Sequence, residues 1–164
     1  MKNTTIYLIR HGEYESEDTT KLSENGKMQA EELANLLVDK NIDLIISSPV
    51  PRALKTAQPL AKKLGQSIEE DQSFGEYQDS DESWEDALVR TQKGLEKIVA
   101  LHEGKTVAIV THGFMIGNFL ISIGYGTREE LAIGTVKNGS YVELVHSNGE
   151  YKVTDTYRIE KILT

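Results

Sequence analysis

Three apolar runs rich in β-branched residues, Thr4–Ile9, Ile42–Ile46 and Thr106–Val110, constrain this chain more than any other feature. None alternates cleanly between apolar and polar positions, so each reads as a strand covered on both faces. Helical patterns lie between them. Ala30, Leu33, Ala34 and Leu37 recur at i, i+3, i+4 and i+7 behind a cap at Ser23, with Gly26 weakening only the first turn. A longer stripe runs from Trp84 through Ala87, Leu88, Thr91, Leu95, Ile98 and Val99 to His102, opened by Ser83 with Asp86 three residues on and closed by Gly104. Ala53, Ala57, Leu60, Ala61 and Leu64 share a third face, where Pro59 removes a backbone donor and predicts a kink or restart. Near the C-terminus, Ser140–His146 and Tyr151–Ile159 alternate around Ser147-Asn148-Gly149, which predicts a β-hairpin.

Strand and helix alternating through the first two thirds predict an α/β chain: a three-layer α/β/α sandwich with a central, mostly parallel sheet and a C-terminal β-hairpin. At 164 residues one domain, 1–164, is expected, with no repeat, low-complexity tract or linker to divide it. Ligands of such sheets bind beyond the carboxyl ends of the strands. There this sequence sets Arg10-His11-Gly12 after the first run and Thr111-His112-Gly113 after the third. The second run ends in Ser47-Ser48-Pro49, which leads within a few residues to Arg52. If the three strands are neighbours, Arg10, His11, Arg52 and His112 converge on one pocket at the sheet's edge.

Two arginines and two histidines together suit a phosphoryl group. Guanidinium forks match phosphate oxygens and keep their charge, while a neutral imidazole can attack phosphorus and carry it as phosphohistidine. A glycine after each histidine, Gly12 and Gly113, lets backbone approach an anion closely. The formal net charge of −8, without a Lys/Arg run, opposes binding to nucleic acid or to an anionic membrane surface. No apolar stretch approaches the ~18 residues of a membrane span, and MKNTTIYLIRHG is a poor secretory signal, so a cytoplasmic location is expected. The absence of cysteine excludes disulfides, thiolate metal sites and a cysteine nucleophile. No recognisable metal-ligand spacing appears, and no cofactor is expected.

These residues also carry a family resemblance. The sequence resembles the histidine phosphatase superfamily, or phosphoglycerate mutase-like family, through "LIRHGE", "LSENGKMQA", "SSPVPRALKTAQPLA" and "VAIVTHG", which follow in the family's order from residue 6 to about 113. The resemblance implies that His11 is the phosphorylated nucleophile, that Arg10, Arg52 and His112 form the phosphate pocket, and that no metal is needed. It also implies a general acid between the second arginine and the long helix. "SFGEYQ" places that acid at Glu76, with Glu82 and then Asp79 as alternatives.

Departures from the family pattern bear on substrate. Tyr14 and Glu17 stand where relatives commonly have threonine and a phosphate-touching asparagine, and Phe114 and Gly117 replace a glycine and an arginine. From Gln66 to Val89 there is no Lys or Arg, while Glu69, Glu70, Asp71, Glu76, Asp79, Asp81, Glu82, Glu85 and Asp86 crowd the segment expected to cap the pocket. Like charge there opposes a second anionic group, so a phosphomonoesterase on a small phosphorylated substrate is expected ahead of a mutase or bisphosphatase. A phosphate- or phosphopeptide-binding module without catalysis is the reading from another class. The residues two positions after each histidine, Glu13 and Phe114, disfavour a twin-histidine phosphodiesterase, and no Gly-x-Ser-x-Gly elbow supports a serine hydrolase. His102 and His146 are read as structural, and nothing in the sequence sets the oligomeric state.

Overall fold

The computed structural model describes residues 2–132 and 134–162. The first apolar run forms β1 (Thr4–Arg10), and its lack of alternation has the expected cause. Ile6 and Leu8 enter one core with residues of α3 (Trp84–Leu101) and α4 (Gly113–Ser122); Tyr7 and Ile9 enter a second with residues of α1 (Glu24–Leu37) and α2 (Pro51–Leu64). Each fully buried aliphatic side chain contributes roughly 1.5–3 kcal/mol, so both faces hold the strand.

One six-stranded sheet runs in the order β3-β2-β4-β1-β5-β6. In it, β1 pairs in parallel with β4 (Thr106–Thr111), β4 with β2 (Leu44–Ser47), and β2 with β3 (Ile68–Glu70). On the other side β5 (Val136–Ser147) runs antiparallel to β1, and β6 (Glu150–Ile159) antiparallel to β5. The three-layer α/β sandwich is therefore as expected. All four parallel strands deliver their carboxyl ends to the same edge, with Arg10 directly opposite Thr111. Left-handed φ at Asn148 and Gly149 closes the β5–β6 turn, the conformation this pair adopts readily.

Some local expectations change. Helix α2 continues through Pro59 without a restart, because Ala53 and Ala57 before it and Leu60 and Ala61 after it are all buried on one face. Tertiary packing thereby outweighs one missing hydrogen bond. The second strand begins at Leu44 rather than Ile42, and β5 begins at Val136 rather than Ser140. The three residues of β3 are too few for a period to show, and α4, apolar almost throughout, hid its helical period because most of its faces are covered. Gly26 does more than weaken a helix start. A Cβ there would lie 1.9 Å from the Glu13 carbonyl oxygen, and one on Gly12 would lie 2.7 Å from the Gly26 oxygen. The two glycines let the loop after β1 rest directly on the first turn of α1.

Candidate active site

His11 and His112 follow the carboxyl ends of neighbouring strands, and their rings lie 5.1 Å apart, edge to face. Both are almost fully buried, at 2% and 1% exposure. Backbone pairing continues past the strand ends, where His11 N–H donates to the Thr111 carbonyl at 3.2 Å and Ser48 N–H to the Val110 carbonyl at 2.8 Å. The His11 carbonyl accepts from Gly139 N–H at 3.2 Å and from Asn138 Nδ2 at 3.3 Å. Gly12 N–H donates to Thr56 Oγ1 at 2.9 Å, and that hydroxyl donates to the Arg52 carbonyl at 2.7 Å. The loop holding His11 is thus tied to the start of α2.

His11 Nδ1 lies 2.8 Å from the Gly12 carbonyl oxygen, an acceptor only, so Nδ1 carries the proton. The lone pair is left on Nε2, which accepts from Arg52 Nε at 3.2 Å. Burial, together with the charges of His112, Arg52 and Arg10, pushes the His11 imidazole down to about 3, against the opposing hydrogen bond to Gly12. It is therefore neutral at pH 7, with its free nitrogen toward the arginine.

Glu76 joins this group from the loop beyond the 3₁₀ turn Gln72–Phe74. Its Oε2 lies 3.0 Å from Arg52 Nη2 and 3.0 Å from His112 Nδ1. The second contact is within ion-pair distance but off the axis of a hydrogen bond, which leaves buried Nδ1 without an aligned partner. Burial acts to raise the Glu76 carboxyl, but His112 and Arg52 outweigh it and hold the group down at about 2. His112 Nε2 lies 2.9 Å from Ser48 Oγ, which fixes its ring.

Arg10 anchors through Nη1 on the Val136 carbonyl at 2.6 Å, while its buried Nε has no partner. Gly113 makes room for it, since a Cβ there would fall 3.0 Å from both Cδ and Nε of Arg10. Gly12 and Gly113, expected to admit an anion to the backbone, thus have packing reasons of their own. Among the described residues, Arg10 Nε has no partner and His112 Nδ1 no aligned one, both close to the Arg52 guanidinium. An incoming oxyanion can satisfy both.

The structure brings Arg10, His11, Arg52, His112 and Glu76 to one place, but not the two alternative acids. Glu82 is bound to Arg90, Oε1 to Nη2 at 2.6 Å and Oε2 to Nε at 3.0 Å. Asp79 is exposed and makes no described bond to the cluster. Sequence reading passed over Arg90 itself. Its guanidinium donates to the Ser73 and Gly75 carbonyls at 3.0 Å each and to the Glu76 carbonyl at 3.1 Å, fastening the loop that carries Glu76. The available signal was its place as the first basic residue after the acidic segment. Asn138, Gly139, Thr56 and Ser48 were also missed; their polar roles depend on residues distant in sequence.

His11, Glu76 and His112 present three ligand atoms within 4.8 Å of one another and could hold a divalent cation. Arg52 already occupies Nε2 of His11 and Oε2 of Glu76, and Arg10 adds a second fixed positive charge. This donor set favours an anion over a metal.

A buried imidazole held among arginines at the carboxyl end of a parallel sheet makes an anion-suited site in an α/β protein. The sequence model of the histidine phosphatase superfamily (branch 1) matches residues 6–80 and 72–158, and the chain belongs to that family. It is 28% identical over 155 residues to the uncharacterized phosphatase PhoE of Bacillus subtilis, covering 77% of this chain and 80% of that one. It is 23% identical over 158 residues to the probable phosphoglycerate mutase GpmB of Erwinia tasmaniensis, covering 72% and 74%. The structure of YhfR from Bacillus stearothermophilus superposes with a TM-score of 0.82 at 24% identity, covering 96% of this chain and all of that one. These relatives support a phosphatase or a mutase. Among the described residues no helix is long and apolar enough to cross a membrane.

Proposed function

We propose that this protein is a metal-independent phosphomonoesterase that works through phosphohistidine on a small phosphorylated substrate. The observation that carries the proposal is His11, neutral and with its lone pair directed at Arg52, beside two buried nitrogens, Arg10 Nε and His112 Nδ1, that have no aligned hydrogen-bond partner among the described residues. A module that only binds phosphate needs the arginines but not an imidazole kept neutral.

Glu76 occupies, in the free protein, the position between Arg52 and His112 that a phosphate oxygen would take. An arriving ester anion competes for those partners, and without them burial raises the Glu76 carboxyl. An ester bound as its monoanion supplies the proton that Glu76 takes up. His11 Nε2 then attacks phosphorus, the P–O ester bond breaks, and Glu76 returns that proton to the leaving oxygen. Arg10, Arg52 and His112 stabilise the equatorial oxygens during transfer. In the second step the Glu76 carboxylate takes a proton from water, the oxygen attacks phosphorus, the P–N bond breaks, neutral His11 is regenerated, and the proton on Glu76 leaves with the phosphate monoanion.

Hydrolysis is favoured over mutase transfer by the cap. Of the cations near it, Arg90 is committed to Glu82 and to carbonyls, Arg52 to Glu76, and Arg128 lies 4.5 Å from the Trp84 ring centroid, while Asp79, Asp81, Glu85 and Asp86 stay exposed. A second phosphate or carboxylate on the substrate would meet mostly like charge on that side. Turnover of an aryl phosphate with chelator present, by wild type and by His11→Ala, tests the proposal. Chelator-resistant hydrolysis lost in the variant is expected, with acid-labile phosphate trapped on the wild type. Turnover that needs added metal, or survives in His11→Ala, overturns it.

A further inference from the structure

The mouth of the pocket has an aromatic lip that the phosphoryl chemistry does not use. Tyr77, one residue beyond Glu76, and Phe114, two beyond His112, stack with ring centroids 4.8 Å apart and planes 20° apart. Phe114 is nevertheless 43% exposed. Across the pocket Tyr14, 38% exposed, has the Arg52 guanidinium 4.9 Å from its ring centroid and its ring 5.6 Å from that of His11. The three rings come from three separate segments: the loop after β1, the cap loop and the first turn of α4.

Exposed aromatic surface beside a desolvated charged pocket needs a reason, since large apolar groups in water are unfavourable. Stacking covers one face of each member of the Tyr77–Phe114 pair and leaves apolar surface at its outer side. The position of the pair says what would cover it. In the proposed reaction Glu76 protonates the leaving oxygen, so the alcohol portion of the substrate starts at Glu76. Tyr77 follows Glu76 directly and its N–H donates to Glu76 Oε1 at 3.2 Å, so the residue is tied to the carboxylate. A planar group attached to the ester oxygen can lie against the pair in the offset or edge geometry that aromatic rings prefer. The acidic cap next to it disfavours an anionic tail.

We infer that this site is selective for phosphate monoesters of aromatic alcohols, whose ring packs on Tyr77 and Phe114 while the phosphate sits on Arg10 and Arg52. The inference rests on the phosphatase reading for the direction of the leaving group. Its test therefore includes a measurement that needs no turnover.

Benzyl, cyclohexylmethyl and ethyl phosphate release alcohols of similar basicity, so differences among them report binding of the organic group. Wild type is expected to favour benzyl over ethyl phosphate by about tenfold in kcat/KM, with cyclohexylmethyl phosphate between them. In Phe114→Ala and Tyr77→Ala the benzyl-to-ethyl ratio falls toward one through KM, and Phe114→Leu keeps part of it. Calorimetric binding of benzylphosphonate and ethylphosphonate is expected to give the same ratios. A wild-type phosphonate ratio near one, or a ratio that persists in both alanine variants, overturns the lip. Absence of hydrolysis with a large phosphonate ratio overturns the phosphatase reading and leaves the lip standing.

Discussion

The floor of the pocket and its cap are held by different means. Arg10, His11 and His112 extend from the two central strands, and backbone bonds of the sheet continue directly into the loop at His11 and Ser48. Glu76 hangs on a loop whose carbonyls at Ser73, Gly75 and Glu76 are gathered by the single side chain of Arg90. Arg52, from the first turn of α2, touches both parts, His11 on one side and Glu76 on the other. The floor is thus fixed by secondary structure and glycine packing. The cap is fixed by side chains instead: the Arg90 guanidinium, the Thr91 and Thr111 hydroxyls on the Ser73 and Phe74 carbonyls, and buried Phe74.

Breaking the joint between the two parts has the largest expected effect. Arg52→Ala removes the partner of both His11 and Glu76 and should lower kcat/KM for an aryl phosphate by roughly a thousandfold. Damage to the floor alone comes next. Gly113→Ala places a methyl 3.0 Å from Arg10 Cδ and Nε, and should weaken inhibition by inorganic phosphate and reduce kcat/KM by about a hundredfold with the melting temperature little changed.

Loosening the cap alone sharpens the contrast. Arg90→Ala should lower kcat by about tenfold while phosphate inhibition stays within about twofold, because the floor is intact. Arg90→Lys should recover little, since an ammonium cannot span the separated acceptors. Equal losses in kcat and phosphate affinity would mean that the cap and floor are one unit.

The last effect concerns acid stability and leaves turnover at neutral pH out of the reading. His11 is held neutral down to about 3 in the fold, whereas the unfolded chain protonates it near its ordinary value of 6.5. Between those values the unfolded state binds the extra proton, so stability falls as pH drops from 6.5 toward 3. His11→Gln should lose less stability than wild type between pH 7 and 4, by on the order of 3 kcal/mol, as read from denaturation midpoints. Identical losses would mean that His11 is already protonated in the fold at pH 4.

Much of the floor was legible because its residues sit next to strong periodic signals. Ile6 to Ile9 announce a doubly covered strand, and the chain can place Arg10 and His11 only at its carboxyl end. The same holds for His112 after Val107 to Val110. Glu76 was harder to place, because in a run of nine carboxylates only the family-like "SFGEYQ" set it apart from Glu82 and Asp79. What separates them is Arg90, which takes Glu82 out of consideration by binding it. Pro59 misled for the opposite reason, its local rule being overridden by the buried residues on either side.

The sequence by itself determined strands β1, β2 and β4, helices α1 to α3, the hairpin turn at Asn148-Gly149 and the histidines and arginines at or just beyond the strand ends. Those features follow from backbone periodicity and turn chemistry, which act over a few residues. Only the tertiary structure decided the tautomer of His11, the meeting of Glu76 with Arg52 and His112, the fit of Gly12 on Gly26 and of Gly113 on Arg10, and the meeting of Tyr77 with Phe114. Each depends on groups from separate segments whose distance in space is set by packing, and no local pattern encodes that distance.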